Sequence, residues 1–458
     1  MAISFTTSQL TKEMEIEFVK DLTVVPMKKG KPAGMAFRTY FNDGKNVVLP
    51  YRYGHLFAKK HKLTLNSVGP YKETKYSFTG SLRDYQIAGL EIVQEHLETY
   101  GTSTVSFHPG AGKTVIGSTL AYMGNMLSLV MIHRNPLGKQ WIDTIEKFAT
   151  AKVHVIGKKR QKYTLEQADI IICMDGQLKN IPPSILAQVG TLLIDEAHCF
   201  CTEGRSHVLI NIRPRYIVAL TATPDRSDGC SSFLVNMVGS HRILRPYKKP
   251  FDIICHRTKI KPEIANNAAG NLDWTVYTKS LMEDSIRNHL ILQDVLNNPD
   301  RKILILTKET SHVDRLNDLI SPHRKVATMM GSQVTYEDSP VLIGTMSKIN
   351  TGFDVATNSE NYDGRPIDMV IICISMADEN VICQSAGRGL RAESPIFYYY
   401  LDNAKLSENH WKVFRAWARK CGGNVHYDDI DTKDIISKIN SGHFKPKPPP
   451  TKTEEKAG

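Results

Sequence analysis

From residue 81 onward, short uninterrupted apolar runs recur along the chain, separated by longer stretches whose apolar residues return at helical spacing. Five runs, STVSF, LSLVMIH, ADIIICM, TLLIDEAH and YIVALTAT, lie between residues 103 and 223, and four more, KILILT, PVLIGTM, DMVIICIS and FYYYLD, between 302 and 402. A strand with one face in water alternates apolar and polar residues, whereas a continuous run belongs to a strand buried on both faces. Strands of that kind with helices between them pair in parallel. The pattern predicts the α/β class, with two parallel sheets over 81–238 and 291–425. Residues 239–290 are mixed, with breaker-rich RPYKKP and NNAAGN, and predict a linker or insertion. Residues 1–80 fall outside the pattern and read as a small basic α+β domain. Residues 426–458 read as a C-terminal tail, whose Pro- and Lys-rich end, KPKPPPTKTEEKAG, is expected to be disordered.

Composition narrows the setting. The N-terminal MAISFTTSQLTKEMEIEF lacks the basic start and apolar core of a secretory signal, so a non-secreted, cytoplasmic or nuclear protein is expected. The longest apolar runs fall short of the ~20 residues that span a bilayer, so no membrane partner is expected. The eight cysteines include no C-x-x-C pair and suit reduced thiols. His198, Cys199, Cys201 and His207 cluster, but their spacing fits no standard zinc pattern. A net charge of +11 favours a polyanionic partner without naming it. Residues 1–80 carry 13 Lys and Arg against 6 Asp and Glu, interleaved with aromatics such as Phe37, Tyr40, Tyr51 and Tyr53. That combination suits nucleic acid, and equally suits a small core with a solvated lysine face.

Two segments carry candidate chemistry. FHPGAGKTV (Phe107–Val115) places a phosphate loop between a strand and a helix, although Phe107 stands where the usual first glycine would be and reads as the last residue of its strand. Gly110, Ala111 and Gly112 would bring backbone N–H groups to the phosphates, Lys113 would reach the β and γ groups, and the Thr114 hydroxyl would meet Mg²⁺. TLLIDEAH ends a buried strand on Asp195 and Glu196, at the strand edge where open α/β sheets place ligands. In a Mg-nucleotide site Asp195 would hold the metal shell and Glu196 would deprotonate the attacking water. A helix N-terminal acid pair stabilised by the dipole is the alternative.

GAGKT, DEAH, LTATPDRSDG and QSAGRGLR occur in that order. Together they resemble motifs I, II, III and VI of superfamily 2 helicases of the DEAH type. TATPDRSDG (Thr221–Gly229) is similar to the segment in the xeroderma-pigmentosum-B type and in the transcript-release helicases of large DNA viruses. The resemblance covers roughly 81–425 and implies two tandem RecA-like P-loop domains with ATP and Mg²⁺ between them. By the family pattern, Arg388 and Arg391 would be arginine fingers with Gln384 beside them, and Gln86 in LRDYQ would read adenine. Gly352 and Asp354 would lie near the nucleotide. Thr221 and Thr223 would couple hydrolysis to movement. Arg134, Asn135, Thr307, Lys308, Thr345 and Ser347 would touch nucleic acid.

The reading is a monomeric ATP-dependent helicase or translocase, DNA favoured and RNA open, working with transcription or repair machinery. Its viral resemblance adds a cytoplasmic viral factory or a virion as settings. Duplex translocation without strand separation is the rival within the class. A P-loop kinase or metabolic ATPase leaves QSAGRGLR unexplained, and a silent scaffold leaves the chemistry unexplained.

Overall fold

In a computed structural model, each of the nine apolar runs is a strand. The structure describes residues 2–28, 31–65, 69–210, 212–224, 228–245, 247, 249–350, 353–374 and 376–444. The chain divides into two compact units, Met1–Pro246 and Tyr247–Gly458.

The first unit holds a seven-stranded parallel sheet, ordered Val153–Val155, Ile170–Met174, Ser128–Ile132, Thr191–Asp195, Tyr216–Thr221, Thr102–Phe107 and Arg242–Arg245. Alternate residues feed opposite faces. Leu129, Met131, Leu192 and Ile194 enter one buried cluster, Val130, Ile132 and Leu193 the other. This is why the run is apolar without a break.

The second unit holds another seven-stranded parallel sheet, ordered Val326–Met329, Val341–Thr345, Ile303–Thr307, Met369–Ile372, Ile396–Leu401, Phe251–Arg257 and Gly423–Asp429. Its residues also alternate between two cores, Leu304 and Leu306 on one side, Ile303 and Ile305 on the other. Numbered in chain order within each sheet, both read 3-4-2-5-6-1-7 from edge to edge. These are two tandem RecA-like α/β domains.

Three boundaries differ from expectation. Residues 239–290 are not a separate linker. Arg242–Arg245 pairs with Thr102–Phe107, Phe251–Arg257 pairs on both sides in the second sheet, and the helices Trp274–Glu283 and Ser285–Asn297 follow. NNAAGN is a turn, but the strand Phe251–Arg257 before it mixes polar and apolar residues and so escapes a search for continuous runs. Residues 426–444 are not a tail: they complete the strand Gly423–Asp429 and the helix Thr432–Asn440, and Ile430, Ile435 and Phe444 are buried in the second unit. The segment Lys445–Gly458 lies outside the described residues.

The first 80 residues do form an α+β element. Ala2–Thr6, Asn46–Pro50 and Phe41–Asn42 make an antiparallel sheet, with Phe5, Phe18, Leu49 and Phe57 buried against the helices Lys12–Asp21 and Tyr51–His61. It is not set apart from the first sheet's unit. Val24 and Phe37 belong to that sheet's core, the Lys72 amide donates to the Gln188 carbonyl at 3.0 Å, and Glu73 and Phe78 bridge to Met126 and Ala149. Two of the interleaved aromatics, Phe37 and Tyr40, are buried, with Tyr40 meeting Phe18 edge-on at 5.1 Å, whereas Tyr51 and Tyr53 are half-buried and Phe41 is exposed. Among the described residues no helix is long and apolar enough to cross a membrane.

Candidate nucleotide and nucleic-acid site

In the first unit the candidate residues gather at the carboxyl ends of three adjacent strands. Thr102–Phe107 is buried throughout and ends at Phe107, whose carbonyl accepts from Lys113 Nζ at 3.2 Å. Phe107 is therefore the strand's last residue, as expected. Gly110 (φ 82°) and Gly112 (φ 80°) turn the loop through the left-handed region that side chains avoid. Gly112 is constrained twice, because a Cβ there would stand 2.5 Å from Gln86 Nε2. The helix Lys113–Met123 starts directly after Gly112 with no acidic residue in its first turn, which leaves its amide end suited to an anion.

Gln86 is buried and faces this loop, but as a brace. Its Oε1 accepts from the Arg83 amide at 3.0 Å and its Nε2 donates to the Ala111 carbonyl at 3.2 Å. Tyr85 donates to the same carbonyl at 3.1 Å, and the Arg245 guanidinium lies 3.5 Å over the Tyr85 ring.

Asp195 ends its strand buried. Its carboxylate accepts from Trp141 Nε1 at 2.8 Å and from the Glu196 amide at 3.0 Å. Burial, then the neighbouring Glu196 charge, raises its pKa, against the pull of the Trp141 hydrogen bond and of Lys113. Gly117 lets the loop's helix approach Trp141, since a Cβ there would meet the indole at 2.4 Å. One glycine thus permits the packing that orients the carboxylate. Gln140, next to Trp141, donates to Thr114 Oγ1 at 3.4 Å.

Glu196 has φ 48° and ψ 53°, a left-handed conformation that costs a non-glycine residue about 1–2 kcal/mol. Strain of this kind concentrates at functional positions. His198 Nδ1 stands 3.4 Å from Glu196 Oε2 and 2.9 Å from Thr221 Oγ1, which accepts from the Thr223 amide at 3.1 Å. The acid pair is thereby tied to the end of the next strand. His133, at the end of Ser128–Ile132, is pushed down to about 4 by burial, against the pull of Glu196, and stays neutral. Arg134 and Asn135 are exposed at the start of the helix Asn135–Phe148, on the same sheet edge.

The second unit brings together QSAGRGLR and the segment around Asp354. Arg388 donates to the Phe353 and Asn350 carbonyls, Arg391 pairs with Asp354, and Ser385 donates to Asn350 Oδ1 at 2.9 Å. Asp354 also caps Val355–Asn358 by accepting from the Ala356 and Thr357 amides. Burial would raise its pKa, but Arg391 and Arg388 outweigh that and hold it below the usual carboxylate value. Gly389 lies against strand Met369–Ile372, where a Cβ would meet Val370 at 2.7 Å. Gln384 is partly buried on the preceding helix, and Gly352 lies outside the described residues.

Four of the expected nucleic-acid contacts divide by exposure. Lys308 and Ser347 are exposed. Thr307 is fully buried with its hydroxyl on the Glu309 carbonyl, and Thr345 is buried with its hydroxyl accepting from Ser347. Both threonines are thus less accessible than Lys308 and Ser347.

Comparison with known proteins agrees with the fold. Residues 79–226 match the family model described as the res subunit of type III restriction enzymes. The chain is 27% identical to a putative helicase of Invertebrate iridescent virus 6, over 86% of this chain and 92% of the relative. It is 25% identical to a putative ATP-dependent RNA helicase of Acanthamoeba polyphaga mimivirus, over 82% of this chain and 75% of the relative. Its fold resembles Saccharomyces cerevisiae Dbp5 bound to RNA and ADP BeF3, with a TM-score of 0.51 and 14% identity over 80% of this chain and 98% of that one. The chain is thus similar to helicases, viral ones among them, and these matches support an ATP-hydrolysing, nucleic-acid-dependent enzyme.

Sequence reasoning missed Trp141, Gln140 and His133, and did not give His198 a role. His198 had a visible signal, the last letter of DEAH, and Trp141 lies on the helix that begins at Asn135. The indole is on a helix and its partner carboxylate ends a strand, and no spacing rule links residues 54 apart.

Proposed function

We propose that this protein is a helicase or translocase that binds Mg-ATP on the first unit and uses its hydrolysis to move along nucleic acid. The observation that carries the reading is the grouping at one sheet edge of the Gly112–Lys113–Thr114 helix start with Asp195 and Glu196, tied through His198 to Thr221.

In this reading the helix start and Lys113 bind the phosphates. Asp195 and the Thr114 hydroxyl would hold Mg²⁺, which when bound neutralises phosphate charge. The donor set fits, being hard oxygens with the carboxylate oriented by two N–H donors. Among the described residues no group of three or more His, Cys, Asp or Glu gathers. Mg²⁺ in nucleotide sites needs only one or two protein oxygens, the rest coming from phosphate and water. Glu196 accepts the proton of the attacking water, and its departure from extended backbone redirects its carboxylate from the line of Asp195. His198 passes the change at Glu196 to Thr221 and Thr223. Arg388 and Arg391 stabilise charge on the transferring group, a task suited to a planar, permanently charged fork. Arg134, Asn135, Lys308 and Ser347 contact the nucleic-acid backbone.

DNA is the favoured substrate, and the motif resemblance points to viral transcription or to repair as the setting. The mimivirus relative's name and the RNA in the Dbp5 complex make RNA the second reading. ATP turnover measured alone, with DNA and with RNA tests both. Stimulation by either supports the function and identifies the sugar, whereas turnover indifferent to both contradicts it.

A further inference from the structure

At the opposite end of the first sheet from the phosphate loop, a cleft of about 840 Å³ opens between the N-terminal element and the RecA-like domain. One wall is the helix Tyr51–His61, the other the end of the helix Asp84–Tyr100, and the floor is the start of the strands at Gly101 and Tyr216. Arg52, His55, Leu56 and Lys59 follow the i, i+3, i+4, i+7 spacing that aligns one helix face, and all four line the cleft. Leu56 is 51% exposed there, with Leu97 on the far wall and Leu63 and Leu65 at one end. Arg52, Lys59 and Arg215 stand on the lining against a single carboxylate, Glu98.

We propose that this cleft is a docking site for an acidic amphipathic helix of a partner protein. Leucines on both walls call for apolar anchors, and the surplus of cations calls for acids flanking them. The walls are helices, and the floor strands lie inside the sheet with neighbours on both sides, so no strand edge is open for an extended peptide to join. Nucleic acid fits the lining less well, because the aromatic faces are taken. Tyr100 lies between the Arg52 guanidinium at 4.7 Å and the His241 ring at 4.4 Å, Tyr216 lies under Arg215, and Tyr51 packs on His55. Bases would find leucine where they need an open ring or a hydrogen-bonding edge. The six-residue strand Thr102–Phe107 separates the cleft from the phosphate loop by about 17–20 Å, so the two sites can be filled together.

The test is a displayed library of random helix-length peptides, selected on the full chain and counter-selected on Leu56→Glu. Lys59→Glu, at an exposed position, serves as a second variant should Leu56→Glu misfold, and unchanged melting and ATP turnover certify each variant. The expected result is enrichment of peptides with apolar residues at i, i+3 or i+4 and i+7 and a surplus of Asp and Glu. Their affinity should fall about tenfold, or 1.4 kcal/mol, on Arg215→Glu and weaken with salt. The proposal is overturned if nothing enriched depends on Leu56 or Lys59, or if the enriched peptides are basic or uncharged. It is likewise overturned if Arg215→Glu spares the peptides and instead flattens the salt dependence of oligonucleotide binding. None of these outcomes depends on the ATP-site assignment.

Discussion

The two sheets are wound in the same strand order, yet their carboxyl edges are built for opposite purposes. In the first sheet the first strand runs into the glycine-turned loop and a helix whose start carries Lys113, and the fifth strand ends on Asp195 and Glu196. In the second sheet the first strand ends at Arg257 and Thr258, and the helix leading to the second strand starts under an acidic cap, with Asp284 accepting from the Arg287 amide at 2.7 Å. An anion would be repelled where the first unit would welcome it. The fifth strand there runs into buried Cys373, whose thiol burial pushes up to about 12.

The second unit fills the equivalent edge with paired charge. Arg287, 1% exposed, reaches Asp402 at 3.2 Å, and Asp402 also accepts from Thr258 at 2.7 Å. Nearby, Asp294 accepts from Tyr400 at 2.5 Å and pairs with His256 at 3.0 Å. One winding therefore supports a ligand-ready edge in one copy and a self-satisfied one in the other. Function follows the residues at the strand ends and not the topology.

The comparison can be broken most forcefully at the arginines. Arg388→Ala and Arg391→Ala should each lower turnover about 10³-fold or more while leaving ATP affinity near wild type, because fingers act on transition-state charge. Parallel losses of affinity and turnover would give the second unit a ground-state binding role. Next comes the filled edge. Asp402→Ala leaves the Arg287 charge buried without its carboxylate and should cost about 3–5 kcal/mol in denaturant unfolding. The double replacement Arg287→Met with Asp402→Leu should recover much of that loss. Equal damage from the single and double replacements would mean that the pair itself contributes the stability.

In the ligand-ready edge, Lys113→Ala should lower turnover about 10²–10³-fold, comparable to losing one preorganised donor, without changing the melting temperature. The smallest effect concerns pH. Burial disfavours a charged His256, but Asp294 and Asp428 outweigh it and raise its pKa. Stability from that charge is fully present below the unfolded value of about 6.5 and lost as pH rises through the higher folded one. Melting of the full chain from pH 6 to 9 should therefore fall by an increment that His256→Asn lacks. A constant difference between the two proteins would mean that His256 is neutral when folded.

The central strands were legible because burial on both faces leaves an unbroken apolar run. Those missed were Val153–Val155, Val326–Met329 and Gly423–Asp429 at sheet edges, and Arg242–Arg245 and Phe251–Arg257 beside the breakers. Edge strands have one neighbour and one wet side, and GNVHYDD reads as polar for that reason. The phosphate loop and acid pair were legible because their chemistry depends on residues adjacent in sequence. The Trp141 contact with Asp195 and the Arg391 pair with Asp354 were not, since each joins segments far apart in sequence that only the fold brings together. The basic N-terminal aromatics left two readings open for a related cause: composition reports which rings are present, and only packing reports which, like Phe37 and Tyr40, are buried.

The most direct test of the account is ATP turnover and ATP affinity in Glu196→Gln beside wild type, each with and without nucleic acid. The account predicts wild-type turnover that nucleic acid stimulates, and a variant that binds ATP normally but fails to hydrolyse it under either condition. Normal turnover by the variant, or loss of its ATP binding, would contradict the assignment of Glu196 as the base and of this sheet edge as the catalytic one.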